Sequence, residues 1–184
     1  MDESYKDIHS ELIESCRRGD SKAQYSLYKL YSKSMYSICY RMTNNTLEAE
    51  DILQEAFVSA FTKIDTFKGE SSFGAWLKKI VINKALNEIK KNKIEWENIE
   101  KAENEYDEVE EDDLIYNIDI VKEAIMQLPK GYRVIFSLYL MEGYDHSEIS
   151  SILGISESTS KSQYNRSKKK LREILKKEVY YEKG

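Results

Sequence analysis

Along most of the chain, apolar residues recur every three or four positions with polar residues between them, the spacing that gathers one stripe on a helix. Ala23, Leu27, Leu30, Tyr31, Ile38, Cys39 and Met42 keep this period behind a cap at Asp20 or Ser21, and Thr43, Asn44 and Asn45 end the helix. A second long helix, opening near Thr46, turns Ala49, Leu53, Ala56, Phe57, Ala60, Phe61 and Ile64 inward and leaves Asp51, Gln54, Glu55 and Val58 outside. The sequence DTFKGESS, residues 65–72, breaks the period with a glycine and two serines and reads as a loop. Beyond it Phe73, Trp76, Leu77, Ile80, Val81 and Ile89 mark one side of a helix, while Lys79, Asn83, Asn87 and Lys90 fall on the other. Residues 1–17 have only a weak pattern and form a tail with a short helix. The period lapses over 94–117 and resumes with Ile118, Val121, Ala124 and Ile125. Leu128-Pro129 marks a break before Val134, Ile135, Leu138 and Met141.

Near the C-terminus two short helices and their turn can be placed residue by residue. Asp145 and Glu148 have the spacing of a capping box, Ile149, Ile152 and Leu153 supply an apolar stripe, Gly154 stands at the exit, and Ser156 can cap the second helix. In that second helix Lys161, Ser162, Asn165, Arg166 and Lys168 recur on one side, with Tyr164, Leu171, Ile174 and Leu175 on the other. Lysine and arginine neutralise phosphates, and arginine or asparagine can read base edges bidentately. A plain helical hairpin with a solvated basic face is the competing reading, but two capped helices about a Gly-Ile-Ser turn favour a DNA-binding helix-turn-helix.

Composition sharpens the fold class. With one proline and seven glycines in 184 residues, the chain reads as all-α, two small helical domains at 18–93 and 118–184 joined by a flexible linker at 94–117. The net charge of −5 is unusual for a nucleic-acid binder until it is divided. Residues 95–117 hold eleven acids and one base, a local −10, and the remaining 22 acids and 27 bases leave +5. So acidic a stretch with few apolar residues cannot offset its ordering entropy and is expected to be mobile. Residues 78–93 carry six lysines against one acid, Glu88; interleaved with asparagines and preceded by a loop whose Phe67 could pack or stack on a base, they suit DNA with exposed bases.

No apolar run approaches the roughly 20 residues needed to span a bilayer, and the N-terminus lacks a signal-peptide pattern, so a cytoplasmic protein is expected. Cys16, Cys39, His9 and His146 have no metal-ligand or disulfide spacing and read as bystanders. The sequence has neither a nucleophile motif nor a glycine-rich phosphate loop, and neither an enzyme nor a cofactor is expected.

Three blocks carry a resemblance: EAEDILQEAFVSAF at 48–61, FKGESSFGAWLKKIVINKA at 67–85, and LPKGYRVIFSLYLMEGYDHSEISSILGISESTSKSQYNRSKKKL at 128–171. In this order, about an acidic linker, they resemble the extracytoplasmic-function (ECF) sigma factors of the sigma-70 family over residues 18–178. The resemblance implies a region 2 domain and a region 4 domain with no region 3 between them. It implies docking on core RNA polymerase through Asp51, Gln54, Glu55 and Phe57. Opening and reading of the −10 element as a single strand would fall to Phe67, Lys79, Asn83, Lys84, Asn87 and Lys90, and duplex contacts at −35 to Lys161, Ser162, Asn165, Arg166 and Lys168. Members are commonly held by an anti-sigma factor at the membrane, so such a partner is expected, with no membrane insertion by the chain itself. Where the family usually has a valine and a small alanine in the recognition helix, this chain has Ser160 and Ser167, whose hydroxyls can bond back to a helix carbonyl. The alternative is a helix-turn-helix regulator that binds an operator without polymerase, which leaves the Asp51/Gln54/Glu55 face and the Lys/Asn helix without a purpose.

The acidic segment generates a prediction of its own. As a coil, 94–117 spans about 25 to 30 Å, against roughly 70 Å for two turns of DNA, and its charge competes with phosphates for both basic faces. Changing Glu103, Glu105, Asp107, Glu108, Glu110, Glu111, Asp112 and Asp113 to Ser or Asn should therefore tighten promoter binding by the free protein, with the gain shrinking as salt rises. Equal affinity of variant and wild type at every salt concentration in a binding titration would exclude the competition.

Overall fold

In a computed structural model of the chain, residues 8–91 and 117–182 are described, and the acidic segment lies outside them. The chain forms two compact units, Met1–Asn92 and Lys93–Gly184. The first holds α1 (Ser10–Arg17), α2 (Ser21–Thr43), α3 (Thr46–Thr62) and α4 (Phe73–Lys91). The second holds α5 (Ile118–Met126), α6 (Lys130–Phe136), α7 (His146–Leu153) and α8 (Glu157–Glu182). Among the described residues there is no strand, and no helix is long and apolar enough to cross a membrane.

In the first unit, short polar signals set the helix ends. Asp20 accepts hydrogen bonds from the amides of Lys22 (2.8 Å) and Ala23 (3.4 Å), which starts α2. Asn44 turns left-handed at φ 56°, a conformation asparagine tolerates, and Asn45 then caps α3 by accepting from Leu47 and Glu48. Helices α2, α3 and α4 pack pairwise on one another, and α1 lies against α2. Leu27, Met42, Phe73, Leu77, Val81 and Ile82 are fully buried between them.

The inward stripe of α2 differs from the expected one at one position: Leu30 is 52% exposed, and Met35 is buried. Leu30 lies about 60° to one side of Leu27 around the helix, whereas Tyr31 and Met35 lie to the other, toward α3 and α4. The loop after α3 is also more ordered than its composition suggests. A 3₁₀ turn, Ile64–Thr66, leads to Phe67, and Ser72 accepts from the Ala75 amide (3.1 Å) to start α4. Phe67 is only 5% exposed, edge-on to Phe73 at 5.7 Å and tilted on Trp76 at 5.4 Å. Of the two roles open to it, packing or stacking on a base, the ring takes the first in this structure, committed to the core. Cys16 and Cys39 are buried as well, and burial pushes the Cys39 thiol up to about 12.

The second unit centres on Ala124, Ile125, Leu128, Phe136, Leu171 and Leu175. Ile118, the first residue of α5, and Met141 stay exposed, contrary to the stripe expected of them. Met141 ends a π turn, Ser137–Met141, whose extra residue per turn rotates Leu140 and Met141 outward. Arg133 is buried and donates to the carbonyls of Leu128 (2.7 Å) and Met126 (3.3 Å), which the end of α5 would otherwise leave unbonded. Asp145 and Glu148 form the expected capping box, at 2.7 and 2.9 Å. Gly154 exits α7 at φ +70°, and the Ser156 hydroxyl accepts from the Thr159 amide at 3.0 Å.

Ser160 and Ser167 of α8 face inward, fully buried, but of the two only Ser167 bonds a helix carbonyl, that of Tyr164 at 2.7 Å. The Ser160 hydroxyl instead shares a 2.9 Å hydrogen bond with His146 Nδ1. His146 is therefore no bystander: it stacks on Tyr139 at 4.3 Å, and Tyr139 packs on Tyr164 at 4.4 Å. Burial first, and Lys161 second, push the His146 imidazole below its ordinary value, while Glu157 and Asp145 act against the shift.

Ser160→Ala should destabilise the second unit by about 1 to 3 kcal/mol, because a part-buried ring nitrogen loses its partner, whereas Ser167→Ala should cost little, since the Tyr164 carbonyl keeps its place in the helix. Because the folded protein holds His146 below its ordinary 6.5, the unfolded chain binds the proton first. The stability it contributes is full above pH 6.5 and is lost as pH falls below that value. Urea denaturation across this range should show His146→Gln with a shallower acid-side decline; an unchanged slope would refute the linkage.

Candidate nucleic-acid and protein interfaces

On α3 the apolar stripe goes inward and the polar remainder forms a face. Ala49, Ile52, Leu53, Ala56 and Phe57 are buried, while Asp51, Gln54, Glu55 and Val58 are exposed. Phe57 is 3% exposed and packs edge-on to Tyr28 at 4.8 Å. In this structure its ring therefore lies beneath the exposed face of Asp51, Gln54 and Glu55, where it fixes α3 against α2. Beside Gln54, an open groove of about 320 Å³ runs between α2 and α3, lined among others by Tyr28, Lys33, Tyr36 and Glu50. A face of carboxylates, amides and an exposed valine suits a protein surface carrying cations and some apolar area.

Helix α4 presents its chemistry differently. Lys79, Asn83, Asn87 and Lys90 are all exposed and one turn apart, so amides that can bond to base edges alternate with charges that can meet phosphates. Lys84 does not belong to that row. It is half-buried and pairs with Glu55 of α3 at 3.2 Å, joining a residue expected at DNA to one expected at polymerase. Phe67 lies beneath this surface rather than on it. The exposed part of the loop is residues 68–71, Lys-Gly-Glu-Ser, where Gly69 takes φ +76°. That backbone suits glycine, and it leaves the tip without a Cβ at its turning point.

On α8 the five expected residues differ in exposure. Lys161 and Asn165 are exposed, while Ser162, Arg166 and Lys168 are half-buried. Lys161 pairs with Glu157 one turn earlier at 2.6 Å, and the Ser162 hydroxyl donates to the Thr159 carbonyl at 3.0 Å. Lys168 sits 4.9 Å over the Tyr164 ring, at the edge of the face. The cation is held by an aromatic ring that also packs on Tyr139, so its position depends on the core behind it. Sequence spacing could not show that Ser160 and His146 anchor the start of this helix, because their contact joins two helices through the turn. Among the described residues, no group of His, Cys, Asp or Glu is placed to hold a metal ion.

Residues 27–94 match the sigma-70 region 2 family and residues 118–171 match sigma-70 region 4. The chain is 31% identical over 176 residues to the ECF RNA polymerase sigma factor SigW of Bacillus subtilis, covering 89% of this chain and 94% of that one. It is 28% identical over 170 residues to the ECF RNA polymerase sigma-E factor of Escherichia coli, 85% of this chain and 88% of the relative. In fold it resembles the sigma factor RpoE of Bartonella quintana, solved with the anti-sigma factor NepR, with a TM-score of 0.52 and 21% identity, over 83% of this chain and 96% of that one. Likeness to SigW over 89% of the chain, with both sigma regions in order, establishes that the chain belongs to the ECF sigma factors of the sigma-70 family, which direct RNA polymerase to promoters for transcription initiation.

Proposed function

We infer that the two units divide the work of initiation, each helical face serving one partner. The face of α3 formed by Asp51, Gln54 and Glu55 docks on core RNA polymerase. The loop at 68–71 and the α4 row of Lys79, Asn83, Asn87 and Lys90 capture the −10 element as a single strand. The α8 face of Lys161, Ser162, Asn165, Arg166 and Lys168 reads the −35 duplex. The observation that carries this division is the opposite chemistry of two neighbouring faces in one bundle, acids and amides on α3 and lysines and asparagines on α4.

The domains then run from 18 to 93 and from 118 to 184, with 94–117 as the tether. Such a factor works in the cytoplasm beside the polymerase, with no catalysis of its own. An anti-sigma partner belongs to the proposal, since the RpoE relative of the same fold is held by NepR. The operator-binding alternative has no use for the α3 face and gains no support from a match that includes region 2.

Charge reversal tests the docking. Asp51→Arg or Glu55→Arg should leave the fold intact, as both side chains are exposed, and weaken capture of core polymerase in a pull-down. Wild-type capture by both variants would end the assignment. Transcription from a premelted template separates the DNA roles. Asn83→Ala should be impaired mainly on duplex promoters and Arg166→Ala mainly in −35 affinity, by about 1 to 3 kcal/mol if it reads a base. Better rescue of Arg166→Ala by premelting would reverse the roles.

A further inference from the structure

We propose that Arg17 is a positioning residue for promoter opening, holding the base of the loop at 68–71 through a hydrogen bond to the backbone of Phe67. The inference rests on the reading of that loop and α4 as the −10 element's site. Arg17 ends α1, in a segment whose sequence promises only a weak helix, and its Nη2 donates to the Phe67 carbonyl at 2.5 Å across 50 residues of chain. The other amine, Nη1, meets Glu14 at 2.5 Å, so the planar guanidinium is oriented from within α1. Nε is buried and bonds to no group among the described residues. Leaving a donor unsatisfied has a cost that an apolar residue would avoid, and the bond to Phe67 is what the arginine gains there.

The position of that bond gives it leverage. At Phe67 the chain is anchored: the Phe67 amide donates to the Ile64 carbonyl at 3.1 Å, and the ring is wedged on Phe73 and Trp76. From Lys68 to Ser71 every residue but Gly69 is exposed, until Ser72 begins α4. The Phe67 carbonyl is thus the last anchored acceptor before the tip, and its orientation sets the direction in which the tip leaves the bundle. Glu14–Arg17 and the aromatic wedge hold it from two sides. A tip held in this way can meet an unpaired base without the entropic cost of ordering itself first.

Arg17→Met keeps an unbranched apolar stem and removes the donor; Arg17→Lys restores one charged donor. Both are assayed as the full chain with core polymerase. Permanganate reactivity of unpaired thymines measures opening on a duplex promoter, transcription from a premelted template is measured in parallel, and a melting curve gives the folded fraction. Arg17→Met should reduce duplex opening about tenfold, with premelting restoring activity to within about twofold and Arg17→Lys recovering most of the loss. A purely structural role would lower activity equally on both templates, in step with the folded fraction, and so would overturn the proposal. Should Arg17→Met melt early, the duplex-to-premelted ratio per folded molecule still decides. Wild-type opening by Arg17→Met beside impaired opening by Asn83→Ala would defeat the role of Arg17 alone. Wild-type opening by Asn83→Ala and by a Lys68→Ala/Glu70→Ala tip variant would defeat the reading of the site on which it rests.

Discussion

The first unit depends on α4 keeping two sides apart. Its inner side, from Phe73 through Leu77, Val81 and Ile82 to Ile89, is buried against α2 and α3, and the register of that contact decides which residues remain outside. Phe73 is the first of these, and its ring meets those of Tyr31, Phe67 and Trp76. Rotating α4 by one residue would move the Lys79–Asn83–Asn87 row by about 100° and carry it away from the loop tip. The dry core therefore fixes the wet face, and the exposed row of lysines and asparagines need not hold itself in place.

The same logic governs the second unit with a different chemistry. There the start of α8 is set by a polar contact, His146 with Ser160, backed by the packed rings of Tyr139 and Tyr164. A hydroxyl and an imidazole specify one geometry, where an aliphatic pair would tolerate several. That specificity carries a dependence on proton concentration which an aliphatic pair would lack. Lys168, resting on Tyr164, shares that geometry.

What was legible in the sequence was local. Asp145 with Glu148, Gly154, Ser156 and Asp20 each act within four residues of themselves, so their spacing alone gives the caps and the helix-turn-helix. The outer faces of α3 and α4 were legible too, since a 3.6-residue period sorts polar from apolar without knowledge of the partner helix. What was hidden joins residues far apart in the chain: Arg17 with Phe67, Lys84 with Glu55, His146 with Ser160. Phe67 is the sharpest case. An aromatic residue in a polar loop can pack or protrude with equal propriety, and only the position of Phe73 and Trp76 decides. Leu30 and Met141 erred the other way, apolar residues in period that are left exposed.

The two thiols of the first unit have a practical consequence. Cys39 is fully buried with its proton held to about pH 12, and Cys16 is shifted in the same direction, first by burial and then by Asp20. Alkylating and oxidising agents attack the thiolate, so neither side chain offers them a handle while α1 and α2 stay packed. An oxidant aimed at thiols would find neither of them accessible in the packed bundle. Conversely, any maleimide uptake by the native chain would count the moments at which the bundle comes apart, giving a native-state clock that requires no engineered label.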